Sequence, residues 1–107
     1  MPFIDVKASC PISPQQEERL KSGLGQAIGL IPGKTEESLM LRFTGGCHMW
    51  FAGSQEGPIV MADVAIYGST GPEDFQAFGA QAVSLLKEAL NAKQVYLKLA
   101  QTTNWAW

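Results

Sequence analysis

PIVMADVAIYGSTGPEDFQAFGAQAVSLLKEALNAKQVYLKL, residues 58–99, carries a strand pattern, a helix pattern and a second strand pattern in succession. Apolar side chains alternate with mixed ones over 58–67, as they do along a half-buried strand. Gly68 to Pro72 supply turn residues and place a proline where a helix tolerates it, in its first turn. Apolar residues then recur three or four positions apart, before 94–99 return to the strand pattern. This segment is predicted to be a strand–helix–strand unit.

The first half of the chain repeats this order. Residues 3–8 alternate as a strand does, and residues 39–43 form a second apolar strand pattern. Between them, Ser13 and Pro14 predict a helix start, because serine caps a helix and proline suits its first position. Gln16 completes a capping box with Ser13. The chain is therefore a strand–helix–strand unit that occurs twice.

Two such units predict an α/β (α+β) fold with a four-stranded mixed sheet and both helices on one of its faces. The length suits one domain, residues 1–107. The other face of the sheet carries mixed residues, among them Asp5, Lys7, Arg42 and Asp63. This face is either solvated, as antiparallel neighbours permit, or it meets other copies of the chain around an oligomer axis. The sequence alone leaves both interpretations open.

Composition and charge argue against several classes of partner. The net charge is −2 with the two signs interspersed, so no basic stripe is present to bind nucleic acid. The apolar runs fall short of the roughly 20 residues that span a bilayer, and no membrane association is expected. No signal peptide is recognisable, and Cys10 and Cys47 could form one bridge, but nothing indicates a disulfide framework. We expect a cytoplasmic protein with free thiols and leave open its release by another route. Cys47-His48 lacks a second ligand pair at metal spacing, and no metal site is predicted.

Several short motifs occur in a particular order along the chain. They are Met1-Pro2-Phe3-Ile4, Gly33-Lys34, Phe51-Ala52-Gly53-Ser54, Val95-Tyr96-Leu97 and Asn104-Trp105-Ala106-Trp107. Their order and spacing resemble the macrophage migration inhibitory factor (MIF) family of the tautomerase superfamily, over the whole of residues 1–107. The resemblance implies a homotrimer around a central channel, with active sites between adjacent subunits. It also implies keto–enol interconversion of small 2-oxo acids such as phenylpyruvate, with no cofactor.

The resemblance assigns the catalytic base to Pro2, after removal of Met1. A proline at the start of a chain is a secondary amine, whereas an internal proline has no titratable nitrogen. An ordinary α-amino group titrates near pH 7.7–8.0, and burial or a nearby cation lowers its pKa. A base whose pKa lies near the working pH suits proton transfer. The structural alternative is a proline that merely begins an edge strand.

Four further residues match the family's substrate cleft, and a fifth cleft position departs from it. The Lys34 ammonium would bind the substrate carboxylate and help to hold the enolate. The backbone amide of Ile66 would also bind substrate, Tyr96 would come from a neighbouring subunit, and Trp107 would lie near the cleft mouth. Lys98 replaces the asparagine of mammalian members and adds a cation. Each residue also has an ordinary interpretation, as a solvated lysine, a core residue or a packing aromatic.

Two functions from different classes remain at this stage. The first is an isomerase, a cofactor-independent tautomerase of phenylpyruvate-type 2-oxo acids, with decarboxylation or dehalogenation at the same proline as close variants. The second is a non-catalytic, cytokine-like trimer that binds a protein partner through the same scaffold. Retained Met1 favours the second function, and a processed N-terminus favours the first. Ser38, which replaces a tyrosine of mammalian members, removes one aromatic wall and leaves the physiological substrate open.

Overall fold

The computed structural model describes residues 1–107 and has the predicted order of elements. The strands are β1 (Pro2–Ala8), β2 (Met40–Thr44), β3 (Ile59–Tyr67) and β4 (Gln94–Thr102), and the helices are α1 (Pro14–Ala27) and α2 (Pro72–Leu90). The predicted strands differ from these by one residue at an end, except that β4 continues three residues further. Short 3-10 turns, Ile28–Leu30 and Glu36–Ser38, lie between α1 and β2.

The four strands form one mixed sheet in the order β2-β1-β3-β4. β1 and β2 are parallel, as are β3 and β4, while the central strands β1 and β3 are antiparallel. Each strand–helix–strand unit therefore supplies one parallel pair, and the two units join through their first strands. This arrangement confirms the predicted fold class, and it places the start of β1 beside the end of β3.

The start of α1 has the predicted cap. The Ser13 hydroxyl accepts a hydrogen bond from the Gln16 backbone N–H at 3.1 Å, and the Gln16 side chain accepts one from the Ser13 N–H at 2.8 Å. Further along α1, a Cβ on Gly23 would lie 2.4 Å from a Leu85 methyl carbon of α2. Only glycine fits this close approach of the two helices. The packing of the helices offsets the low helix propensity of Gly23.

The core lies between both helices and one face of the central strands. The predicted apolar rows of β1 and β3 are buried, and the edge-strand rows are partly buried against the same core. The fully buried side chains of the core include Ile4, Val6, Leu20, Leu24, Val60, Val64, Ile66, Phe78 and Leu86. Burial on both helices and both central strands holds the sheet end that carries Pro2 and Ile66 in a fixed position.

On the opposite face of the sheet, the charged residues pair within the chain. Asp5 is buried and accepts a hydrogen bond from Arg42 Nε at 3.1 Å, while Lys7 Nζ lies 3.1 Å from its carboxylate. The hydrogen bond from Arg42 is the main reason why the pKa of Asp5 is lowered. Lys98 and Asp63 form a second, more exposed ion pair at 3.4 Å. Asp5 on β1 is therefore paired with Arg42 on the neighbouring strand β2.

Three further sequence predictions concern the cysteines, metal ligands and membrane-spanning helices. Cys10 and Cys47 are free thiols, although backbone hydrogen bonds join their segments, from Gly46 to the Cys10 carbonyl and from Cys47 to the Ala8 carbonyl. Nowhere do three or more His, Cys, Asp or Glu side chains gather as metal ligands would. Neither helix combines the length and apolar content that a bilayer crossing requires.

Candidate active site

The first residue of β1 lies buried at one end of the sheet. Pro2 stands opposite Ile66 in the antiparallel pair of β1 and β3, and both side chains are buried. Proline suits this position because the first residue of a strand need not donate to the ladder. Met1 continues the pairing by one step, because its carbonyl oxygen accepts a hydrogen bond of 2.9 Å from the Tyr67 backbone N–H.

Lys34 reaches this end of the sheet from the turn that precedes β2. Gly33 has a φ of +78°, a conformation that favours glycine, and it turns the chain just before the lysine. The Lys34 backbone N–H donates to the Ile31 carbonyl at 3.0 Å. Its Nζ donates to the Tyr67 backbone carbonyl at 2.6 Å. The ammonium is therefore held beside the end of β3 by a backbone acceptor.

The environment of the chain's amino group lowers its pKa. The pKa of the Met1 α-amine is lowered from 8.0, first by loss of hydration and then by the charge and hydrogen bonding of Lys34. Both causes act in the same direction, because each disfavours the protonated amine. An amine at this place is therefore biased toward its neutral, basic form.

A cavity of about 440 Å³ opens beside Pro2. Its volume lies in the range of small-molecule sites, and its lining is mostly apolar. The lining residues are Met1, Pro2, Phe3, Ser38, Met40, Trp105, Ala106 and Trp107. The Trp107 ring meets the Tyr67 ring edge-on, with centroids 5.7 Å apart, while most of the Trp107 surface stays exposed. The cavity can hold a planar apolar group next to the amine.

Two predicted site residues lie away from this cavity. In the register of β3 with β4, Tyr96 and Lys98 stand five and three residues from the Ile66 position. At about 3.3 Å per residue, these offsets are roughly 16 and 10 Å. Tyr96 is 62% exposed, and its ring packs edge-on against Phe51 at 5.6 Å. Within one chain, the structure thus brings together Pro2, Lys34, Ile66 and Trp107, but neither Tyr96 nor Lys98.

Sequence reasoning missed two residues of the site. Tyr67 holds the Lys34 ammonium through its carbonyl and the Trp107 ring through its own ring. In the sequence it is only the last residue of a predicted strand. Met40, which lines the cavity, stands opposite Phe3 in the parallel pair of β1 and β2. The sequence does not reveal how β1 and β2, which are far apart along the chain, align, and this register is what brings Met40 to the cavity.

Solved structures of known proteins share this architecture. Leishmania major MIF2 superposes with a TM-score of 0.91 at 20% sequence identity, over 100% of this chain and 93% of that protein. The fold is that of the MIF proteins. A fused 4-OT, described as an asymmetric trimer, has the same fold. It superposes with a TM-score of 0.79 at 17% sequence identity, over 98% of this chain and 91% of that protein. Pt0534, solved after inactivation by 2-oxo-3-pentynoate, shares the fold as well. It superposes with a TM-score of 0.77 at 20% sequence identity, over 98% of this chain and 91% of that protein.

Sequence comparisons find no such likeness. No protein-family profile matches the chain, and no curated protein sequence matches it. The MIF fold of this chain therefore rests on the three-dimensional likeness alone. Activity must be argued from the site itself, because one fold carries many functions.

Proposed function

We propose that the chain is a cofactor-independent keto–enol tautomerase of small 2-oxo acids, of the phenylpyruvate type. Pro2 would be the general base once Met1 has been removed. The observation that carries this proposal is the lowered pKa of the amine beside Lys34, next to an apolar cavity. A neutral amine, a cation and an apolar cavity together suit an aromatic anion that must lose a proton from carbon.

The chemistry of the base follows from the position of Pro2. Removal of Met1 converts the Pro2 amide into a secondary amine, in a buried position one residue along from the α-amine whose pKa is lowered. The neutral amine takes a proton from the carbon beside the 2-oxo group, which gives the enolate and a protonated Pro2. Pro2 then returns the proton to the enolate oxygen, which gives the enol. No electron donor or acceptor takes part.

Substrate orientation is proposed to come from three residues around Pro2. Lys34 binds the carboxylate and stabilises the enolate charge. The strand β3, which carries Ile66, pairs with β1 at Pro2. In this proposal it supplies a backbone amide to the substrate. Trp107 covers the aromatic ring of the substrate, which occupies the cavity.

A homotrimer would complete the site. Tyr96, 62% exposed, is directed away from its own chain's cavity, and Lys98 shares that strand. A neighbouring subunit that packs against β4 would receive both residues in its own cleft. Met40, 68% exposed, and Trp50, 66% exposed, add apolar surface that an interface would cover. The fused 4-OT, which has the same fold, forms a trimer.

One contact favours the alternative function, a non-catalytic trimer that binds a protein partner. The Met1 carbonyl accepts a hydrogen bond from Tyr67, so the strand pairing accommodates a retained methionine. In that state the Pro2 nitrogen is an amide, and it cannot act as a base. The two functions therefore differ in the chemical state of the N-terminus.

The reagent that inactivates Pt0534 offers a test. 2-Oxo-3-pentynoate is a 2-oxo acid whose triple bond adds a neutral amine. We expect the processed protein to gain the mass of one reagent per chain, on the Pro2 nitrogen, and phenylpyruvate to slow this labelling. Labelling that is no faster at Pro2 than at exposed lysines such as Lys21, and that phenylpyruvate does not slow, would contradict the proposal.

A further inference from the structure

The Phe3 ring belongs to the cavity beside Pro2, and a cation lies against it from outside that cavity. Phe3 lines the cavity, whereas Arg42 does not. The guanidinium carbon of Arg42 lies over the Phe3 ring, 5.8 Å from its centroid, at the distance of a cation–π contact. Phe3 therefore connects the cavity to a charged residue that does not itself touch it.

The register of β1 and β2 produces this contact. Phe3 stands opposite Met40, and Asp5 stands opposite Arg42, so Phe3 and Arg42 are diagonal neighbours in the parallel pair. Residues two apart on a strand share one face of the sheet. The four residues thus form one patch on the face opposite the helices, and the patch borders the cavity through Phe3 and Met40.

Arg42 is fixed in this patch although its side chain is 60% exposed. Its Nε donates to Asp5 Oδ1 at 3.1 Å, and its Nη2 donates to Asp5 Oδ2 at 2.5 Å. Two such bonds set the orientation of the guanidinium as well as its position. The Asp5 side chain is only 7% exposed, and its lowered pKa keeps the carboxylate charged at neutral pH. A buried anion therefore holds an exposed cation in place.

A fixed cation restricts the ring that it covers. Phe3 is half-buried and lies one residue from the start of β1, where few neighbours surround it. An aromatic side chain has several staggered rotamers, and attraction between the cation and the ring face favours the one that lies against Arg42. The ring is then already in position when a ligand enters the cavity.

We propose that Asp5 and Arg42 position the Phe3 ring as a wall of the cavity, and that this wall makes the site prefer aryl to aliphatic 2-oxo acids. A wall that is already ordered loses little side-chain freedom when a substrate ring packs against it. An aliphatic substrate has no ring to place there and gains less. Arg42 acts through Phe3, so it is a positioning residue. Identifying the ligand as a 2-oxo acid rests on the proposed function.

Lys7 provides a matched control for Arg42. Its Nζ lies 3.1 Å from the same carboxylate oxygen, Oδ2 of Asp5, but only Arg42 lies over the Phe3 ring. Lys7→Met and Arg42→Met each remove one cation from Asp5, and Arg42→Met alone also releases the ring. A difference in substrate preference between the two variants therefore reports on the ring.

Exchange of the C3 hydrogens for deuterium measures preference directly. Proton NMR in D₂O gives kcat/KM of the processed protein for phenylpyruvate and for 2-oxobutyrate, which lacks a ring. We expect Arg42→Met to lower the ratio of the two values by about threefold to tenfold, in line with the strength of a cation–π contact. Phe3→Leu should lower it at least as much, and Lys7→Met should leave it unchanged. An unchanged ratio in Arg42→Met or Phe3→Leu, or an equal fall in Lys7→Met, would overturn the proposal.

A double variant tests whether Arg42 acts through Phe3. Combining Arg42→Met with Phe3→Leu should lower the ratio no further than Phe3→Leu alone, because the ring is already absent. Additive losses would overturn the proposal. If Arg42→Met does not fold, Asp5→Asn with Arg42→Met replaces it, because this pair of changes removes the buried charge together with its partner.

Binding of unreactive carboxylates separates this inference from the proposed function. Calorimetric titration of the processed protein should show tighter binding of 3-phenylpropionate than of butyrate, and Arg42→Met should reduce this preference. That result without turnover of either 2-oxo acid supports the wall and contradicts the tautomerase. Turnover at a ratio that does not respond to Arg42 and Phe3 supports the tautomerase and contradicts the wall. No preference for 3-phenylpropionate in the unaltered protein would also contradict the wall.

Discussion

Lys34 Nζ donates a hydrogen bond of 2.6 Å to the backbone carbonyl oxygen of Tyr67, across the end of β3. No salt bridge of the protein includes Lys34, so no carboxylate neutralises its charge. A backbone acceptor fixes the ammonium in place and leaves its charge available. That charge contributes to the lowered pKa of the chain's amino group, and it suits the binding of an anionic substrate.

Replacement of this lysine should weaken substrate binding. We expect Lys34→Met to raise KM for phenylpyruvate by about tenfold to a hundredfold, because a hydrogen bond to a charged group contributes about 1.5–3 kcal/mol. Steady-state kinetics of the processed protein would measure the change. Lys21→Met, on the exposed face of α1, is the matched control and should leave KM unaltered. Equal KM values for the two variants would exclude Lys34 from carboxylate binding.

The same lysine should set the pH dependence of catalysis. The base acts in its neutral form, so kcat/KM should fall as the pH drops below the pKa of the Pro2 amine. Loss of hydration and the Lys34 charge lower the pKa of the Met1 α-amine, and we expect them to act in the same direction on Pro2. A nearby cation disfavours the ammonium, and its removal therefore raises the pKa. Lys34→Met should move the acidic limb of the kcat/KM profile to higher pH. A limb that stays in place would contradict electrostatic coupling between Lys34 and the base.

The charge pairing of Asp5, on the face of the sheet opposite the helices, predicts an effect on stability. Asp5→Asn should lower the free energy of unfolding by about 1–3 kcal/mol, because a buried carboxylate loses its charge-assisted bonds to Arg42 and Lys7. Urea denaturation would measure this loss. Asp63→Asn breaks a half-exposed pair with Lys98, and as the control it should cost less than about 1 kcal/mol.

The pH dependence of stability gives an independent check on Asp5. Its folded pKa is lowered, so its stabilising contribution is complete above the unfolded pKa of about 3.9 and disappears as the pH falls through the lowered value. Asp5→Asn should abolish this part of the acid transition. An unchanged acid transition in the variant would show that Asp5 does not contribute to it.

A shared site between subunits can be tested by complementation. Light scattering should give about three times the 11.6 kDa chain mass. Pro2→Gly disables the base side of a site, and Tyr96→Ala disables the side that a neighbour supplies. Co-refolding of the two variants should recover activity that neither has alone, since some sites then contain both native residues. A stable monomer, or no recovery in mixed oligomers, would contradict the shared site.

Local patterns in the sequence predicted most of the fold. The capping box at Ser13, the proline at the start of α2 and the alternating rows of β1 and β3 each depend on residues close in sequence. The end of α1 at Ala27 and the 3-10 turn Ile28–Leu30 that follows it were not marked by a comparable local signal.

The candidate site was less predictable, because its contacts join distant segments. Pro2 and Lys34 were identified from the resemblance, yet nothing local indicated that the Tyr67 carbonyl would hold Lys34. The cavity depends on β1–β2 register, which brings Met40 opposite Phe3. The roles of Tyr96 and Lys98 depend on a neighbouring chain, so they remain predictions.

Ketonisation of enol phenylpyruvate by the processed protein, beside Pro2→Gly and the Met1-retaining chain, tests the central claim most directly. Mass spectrometry confirms the N-terminus of each sample. We predict turnover by the processed protein alone, with a loss of about a hundredfold or more in the other two, in line with the usual contribution of a general base. Equal turnover in all three samples, or none above background in the processed protein, would contradict Pro2 as the base of a phenylpyruvate tautomerase.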